Sequence, residues 1–208
     1  IYVTKDKALS LVPTENILQL QIKPDELIDT RGDETITYPI VKIGIQYWMC
    51  SNLKSTKYTD GTPIDKGSNF NETTPKYCQP NAYYYFYNSA AIAHKSLSPT
   101  NWRIGNNSDW EKLKVYIKND AKVLKSGAAW EEGRATNLTG FNGIAAGLYS
   151  GTYLYEDKSK NRFVYYWCTD NSDSKITTGS ITLTSQDNNN IMNSGSNSET
   201  LGACIRCI

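Results

Sequence analysis

A single histidine, two methionines and almost no excess of either charge define what this 208-residue chain does without. His94 stands alone, so zinc-dependent hydrolysis would need an unusual ligand set. Its place beside Ala90-Ala91-Ile92-Ala93, an Ala-rich helical run, reads as structural. Lys and Arg number 22 against 21 Asp and Glu, a formal net charge of +1. No field of one sign draws in nucleic acid or an anionic membrane, and no apolar run is long enough to cross a bilayer. A Gly-rich phosphate loop and a nucleophile elbow are both missing. Glu131 and Glu132 are adjacent and cannot by themselves flank a glycosidic bond. These absences argue against an enzyme. The chain begins at Ile1 with no visible signal peptide, so it reads as a mature or trimmed fragment.

What the chain has is aromatic and amide surface: 15 Tyr, 5 Trp and abundant Asn. Tyr and Trp combine an apolar body with a polar tip, which suits faces both packed and wet. Five cysteines stand at 50, 78, 168, 204 and 207. In an exported protein some would be bridged, and an odd count leaves at least one without a partner in the chain. Cys204 and Cys207 form a C-x-x-C at the end of an extended stretch. Residues three apart on a strand point to opposite faces, which argues against a redox pair or a chelate.

Along the chain, Ile17-Leu18-Gln19-Leu20-Gln21-Ile22 alternates between Pro13 and Pro24 and reads as a strand. Glu26-Leu27-Ile28 and Thr35-Ile36-Thr37 flank Gly32-Asp33, which predicts a hairpin. Arg31-Gly32-Asp33 is also the tripeptide read by integrins; the hairpin-turn reading is the simpler one, and a cell-binding role would require exposure. The stretch 40–49 alternates apolar residues and then ends in Tyr47-Trp48-Met49. Segment 59–82 is a loop, and Asn88–Leu97 is the first helix. Ser108-Asp109-Trp110-Glu111 reads as a capping box opening a second helix, with Trp110, Leu113 and Ile117 as its buried stripe. Strands follow at Ile144–Leu148, Tyr153–Tyr155, Arg162–Cys168, Ser180–Thr184 and Ala203–Ile208, with a polar loop over 186–200.

Several of these segments carry a family resemblance in order. They are Ile40–Met49 with Asn52-Leu53, Tyr84–Asn88, Ser98–Ile104, Ser108–Leu113, Thr139–Gly147, Tyr165–Thr169 and Ile205-Arg206-Cys207-Ile208. Together they resemble the Fibrobacter succinogenes major paralogous domain over residues 36–208. The resemblance implies an α+β, C-type-lectin-like fold: two helices on twisted, mostly antiparallel strands with long loops. It assigns residues 39–208 to that module and leaves 1–38 as lead-in strands, the end of an upstream pilin-like β-domain. Thr37–Ile45 is expected to pair beside Ala203–Ile208. The sequence departs from the family at Ser98, where a Cys is common; if that Cys pairs near the carboxyl end, Cys207 has lost its partner and Cys78 is the candidate replacement.

The resemblance further implies an adhesion or binding module of exported Bacteroidetes surface proteins, as an outer-membrane lipoprotein or at a pilus tip. Its partners would be a glycan or a host or bacterial surface protein, together with pilus subunits. The contact face expected here comprises Tyr153, Tyr155, Tyr166, Trp167, Asp170 and Asn171. No cofactor is expected. The oxygens of Asp170, Asn171, Asp173 and 187–190 are of the kind that hold a hard cation such as Ca²⁺, although such a cluster is more often a solvated loop. Gln79-Pro80-Asn81 echoes the sugar-binding motif of calcium-dependent lectins but lies before the first helix rather than after the second. Two other readings stand beside adhesion: a structural module capping a surface assembly, and an exported enzyme of the formylglycine-generating-like fold.

Overall fold

A computed structural model describes residues 26–127, 130, 133–156, 163–169, 179–184, 193–196 and 200–208. The strand expected at 17–22 lies outside them. The described residues build an α+β architecture in which strands dominate. Strands β1 (Glu26–Arg31), β2 (Glu34–Ile43) and β3 (Gln46–Met49) form an antiparallel meander. Its turns, Gly32-Asp33 and Gly44-Ile45, each open on a glycine at positive φ, 64° and 62°, the conformation a two-residue hairpin turn demands. β2 runs from Glu34 to Ile43 without a break, so it crosses the expected 38/39 boundary. Tyr38, fully buried, sits among Met49, Leu53, Tyr87 and Ile205.

The largest sheet orders β4 (Asp65–Lys66), β5 (Lys76–Cys78), β6 (Phe86–Asn88), β12 (Leu201–Ala203), β7 (Leu148–Ser150) and β8 (Tyr153–Tyr155). β4 and β5 are parallel and the other pairs antiparallel. A third sheet orders β11 (Asn193–Ser196), β10 (Gly179–Thr184) and β9 (Phe163–Cys168). Gly202 in β12 has no side chain because the Phe70 ring lies where a Cβ would be.

Two α-helices stand among the described residues. Short α1 (Ser89–Ile92) is capped by Asn88, and a 3₁₀ turn at Lys95–Leu97 follows it. α2 (Asn107–Tyr116) buries Trp110 and Leu113, and its C-cap Ile117 continues the expected stripe. Its capping box differs from the expected one. Asn106, not Ser108, is the cap: its side chain accepts from the Asp109 amide at 2.9 Å, and Asp109 Oδ2 accepts from the Asn106 amide at 2.9 Å. Asp109 is held there by an ion pair with Arg103 and by the Gln46 amide, which donates to it at 3.4 Å. That anchoring moves the helix start two residues upstream of Ser108.

The carboxyl-terminal segment threads the centre of the molecule. Beyond β12, Trp167 N–H donates to Cys204 O at 2.8 Å, Leu53 N–H to Ile205 O at 3.0 Å and Met49 N–H to Cys207 O at 3.1 Å. Arg103 and Ile208 exchange two backbone bonds of 3.1 and 2.9 Å. The expected pairing of Thr37–Ile45 with Ala203–Ile208 is therefore displaced to residues 49–53. The Gly44-Ile45 turn folds β3 back along β2, so the chain after the turn, not β2, meets the carboxyl-terminal segment.

Two hydrophobic clusters share these strands. Along β9, Val164, Tyr166 and Cys168 enter one cluster, while Trp167, with Tyr165 packed alongside, enters the other. The period-2 alternation of a strand thus feeds apolar residues to both sides. Burial on both faces is what a continuous apolar run signals, as in Phe163–Cys168.

Candidate functional site

Of the six expected contact residues, the structure leaves two at the surface. Tyr153 and Tyr155 are 70% and 52% exposed on β8, an edge strand. At i and i+2 they share a face, with ring centroids 5.9 Å apart and planes tilted by 46°. β8 pairs with β7 through Ser150↔Tyr153 and Leu148↔Tyr155 across the Gly151-Thr152 turn. Gly147, at φ +77°, lets the Tyr155 carbonyl approach where any side chain would collide.

Tyr166 and Trp167 do not belong to this face. Both are fully buried; the Trp167 indole donates to Tyr87 O at 2.7 Å, and Tyr166 stacks on Trp110 at 5.6 Å. They are core residues because β9 is covered on both sides. Asp170 and Asn171 lie outside the described residues, as do Asp173, Glu131, Glu132 and 187–190.

The other candidates resolve into structural roles. Arg31 of the Arg31-Gly32-Asp33 tripeptide is wholly buried in an ion pair with Asp29, while Gly32 and Asp33 are exposed and Asp33 pairs with Lys57. That geometry cannot present the tripeptide. Asn81 of Gln79-Pro80-Asn81 closes a turn, its side-chain Oδ1 accepting from the Tyr83 and Tyr84 backbone amides at 2.9 and 3.0 Å. His94 caps the 3₁₀ turn through Nδ1, which accepts from the Ser96 amide at 3.4 Å, and its ring lies 4.0 Å from that of Tyr58.

None of the five cysteines is in a disulfide. The expected Cys78–Cys207 bridge is not formed, because the two sit in different clusters. The Cys78 thiol bonds to the Tyr149 hydroxyl at 3.3 Å instead. Cys204 and Cys207 likewise enter opposite clusters, as residues three apart on an extended chain must. Burial pushes both thiols up to about 12. Burial also lowers Lys125 to about 8; its Nζ donates to Thr184 O at 2.7 Å and lies 4.7 Å from the Trp130 ring centroid.

These shifts set an alkaline limit on stability. Above pH 9 the unfolded chain releases two thiol protons that the folded chain keeps, so stability falls as pH rises towards 12. Lys125 acts oppositely, because from pH 8 to 10.5 the folded amine has lost a proton that the unfolded one holds. Tyr38, Tyr87, Tyr149 and Tyr166, which burial holds above the usual phenol value, act with the thiols as pH nears 10, so together these groups outweigh Lys125 and stability falls between pH 9 and 10.5. Calorimetry is expected to show the melting temperature falling over that interval. Replacing both cysteines by Ala should make the fall shallower, leaving the part due to the buried tyrosines; a flat profile in the natural chain would contradict this assignment.

A second surface feature has no counterpart among the expected residues. An open groove of about 360 Å³ runs between Lys42 and Ile43 of β2, the end of α2 at Ile117-Lys118, and Leu138. Of its lining, Tyr116 and Leu138 stand exposed at 59% and 80%, and Ile45 and Val115, near in sequence, are exposed as well. The sequence signal was present: Val115 and Tyr116 are apolar yet fall off the stripe of Trp110, Leu113 and Ile117.

No curated protein and no solved structure matches the chain. The family model of the Fibrobacter succinogenes major domain matches residues 41–208, from β2 through the carboxyl-terminal segment that the fold is built around. The chain belongs to that family.

Proposed function

We propose that this protein is a non-enzymatic, C-type-lectin-like adhesion module of an exported bacterial surface protein, a pilus-tip subunit or outer-membrane lipoprotein. Its ligand is a glycan or a surface protein. The observation that carries this reading is the pair Tyr153 and Tyr155, two exposed rings on one face of an edge strand. Aromatic rings offer flat apolar faces with a polar tip, the complement of a sugar ring with its axial C–H groups and hydroxyls. Both residues lie on a short hairpin anchored to the central sheet, so the face is held by a rigid scaffold.

The test is a glycan array and a cell-surface binding assay on the natural chain and on Tyr153→Ala with Tyr155→Ala. Binding is expected to fall about tenfold or more, with the unfolding midpoint almost unchanged because both rings are exposed. Unchanged binding by the double variant would place the contact elsewhere. Repeating the array with a chelator separates direct stacking from a contribution of Ca²⁺.

A further inference from the structure

The two exposed tyrosines of β8 stand at the end of a longer row. Residues directly opposite on paired strands share a face of the sheet, and here the pairing runs on from strand to strand. Tyr155 lies opposite Leu148 of β7. Gly147 bridges in parallel to Val164: its N–H donates to Phe163 O at 2.8 Å and its carbonyl accepts from Tyr165 N–H at 3.3 Å. Leu148 and Tyr165, one residue on in each strand, therefore stand side by side on the opposite face. Tyr165 in turn lies opposite Thr182 of β10. Cluster membership agrees, because Val164 and Tyr149 enter one cluster while Leu148 and Tyr165 pack against the other. Tyr155, Leu148, Tyr165 and Thr182 thus form one line across four strands, about 14 Å long at ordinary strand spacing.

The line reaches solvent where its face leaves the core. Trp167, two residues beyond Tyr165, is fully buried, whereas Tyr165, Leu148 and Thr182 are half-buried and Tyr155 is exposed. Tyr153 flanks the line on the Trp167 side and Phe163 on the other, its ring meeting Tyr165 edge-on with centroids 5.8 Å apart. None of these six side chains carries a charge. We propose that the line binds a linear, uncharged, β-linked glycan laid across the strands, one sugar on Tyr155, the next over Leu148 and the next on Tyr165. This rests on the reading of Tyr153 and Tyr155 as a glycan contact and extends that contact in length and ligand class.

The chemistry of the line selects this occupant. A pyranose with equatorial substituents presents axial C–H groups on its faces and hydroxyls at its rim. The line repeats that alternation, with apolar bodies along it and hydroxyls on Tyr155, Tyr165 and Thr182. Equatorial β-linkages keep such a chain extended, as a straight line across a sheet requires. A protein partner ordinarily brings a polar rim with charged side chains, and covering those with a line that offers no counter-charge costs free energy. A neutral glycan brings none.

The experiment titrates the natural chain, by calorimetry, with β-1,4-linked oligomers of N-acetylglucosamine and of mannose, from the single sugar to the hexamer. Curled α-1,4-linked glucose oligomers are the control. Affinity for a β-linked series is expected to rise about tenfold from the single sugar to the trimer or tetramer and then to level off. Tyr165→Thr keeps a β-branched residue on the strand and should lower hexamer affinity about tenfold, towards that of the dimer; its melting temperature checks the fold. In the natural chain the hexamer should shift the Tyr165 ring and the Leu148 and Thr182 methyl resonances, a readout that needs no substitution. Affinity independent of length, equal binding of the α-linked series, or binding of neither β-linked series overturns the proposal. Hexamer binding lost in Tyr153→Ala with Tyr155→Ala but kept in Tyr165→Thr overturns the extended line and leaves the tyrosine pair as the contact. Binding kept in both variants removes that reading as well.

Discussion

Arg206→Met is expected to abolish folding or to lower stability by about 5 kcal/mol, most of the margin of an ordinary domain. Arg206 is fully buried, and no carboxylate neutralises it among its hydrogen-bond partners. Its guanidinium donates to Asn52 Oδ1 at 2.8 Å, to the carbonyls of Met49 and Phe141 at 2.7 and 2.8 Å, and to that of Asn142 at 3.0 Å. It also lies 4.5 Å from the Phe141 ring centroid and 5.6 Å from that of Tyr166. A methionine fills much of the volume but leaves the acceptors without a donor. Each buried acceptor so stranded costs about 1–3 kcal/mol. Arg206→Lys keeps the charge yet cannot reproduce a planar fork aimed at separate loops, so a loss of about 3 kcal/mol is expected for it. Soluble yield and urea unfolding measure both. A midpoint for Arg206→Met close to that of the natural chain would show that the loops at 49–52 and 141–142 are held by other means.

The second large effect is expected at Arg31. Its Nε donates to both Asp29 oxygens at 3.0 and 2.9 Å, Nη1 to Lys57 O at 2.6 Å and Nη2 to Leu97 O at 2.9 Å. Asp29 is only 4% exposed. Arg31→Ala thus strands a buried carboxylate and two carbonyls, a loss of about 3–5 kcal/mol. Asp29→Leu combined with Arg31→Met should recover much of that, because removing both charges spares the cost of leaving one unpaired. Denaturant midpoints of the single and double variants decide it. A double variant as unstable as the single one would mean that the two carbonyls, not the ion pair, carry the energy. Either way, a large loss from Arg31 shows that the β1–β2 hairpin is built into the same cooperative unit as residues 41–208.

Much of this was legible along the chain because it is local. The Gly32-Asp33 hairpin follows from two short alternating runs on either side of a turn pair. The stripe of Trp110, Leu113 and Ile117 follows from helical spacing, and all three are buried. The opposite orientation of Cys204 and Cys207 follows from the period of a strand. The cap of α2 was misjudged by two residues for a reason that is not local. Ser108 and Asn106 are both good caps, and the choice between them was made by Arg103 and Gln46 converging on Asp109.

The candidate site divides the same way. Tyr153, Tyr155, Tyr166 and Trp167 are alike in composition and lie within one short stretch, yet two are exposed and two are fully buried. β8 ends a sheet, whereas β9 has a hydrophobic cluster on each side. No pattern internal to a strand reports what packs on its second face, except that an unbroken apolar run such as Phe163–Cys168 leaves no residue for solvent. The same holds for Arg31, whose place beside a turn says nothing of its burial and whose partners come from residues 57 and 97.

By itself, then, the sequence determined the family, the strand-rich α+β class, the hairpin and the buried helix stripe, since short-range periodicity and turn chemistry are encoded within a few residues of one another. Tertiary structure alone decided which aromatics face solvent and which cysteines are neighbours. It also decided that the carboxyl-terminal segment meets residues 49–53. Those outcomes depend on contacts between segments far apart in sequence, such as the Met49–Cys207 and Arg206–Met49 bonds, whose pairing is selected by the burial of both faces of a strand and not by any local preference.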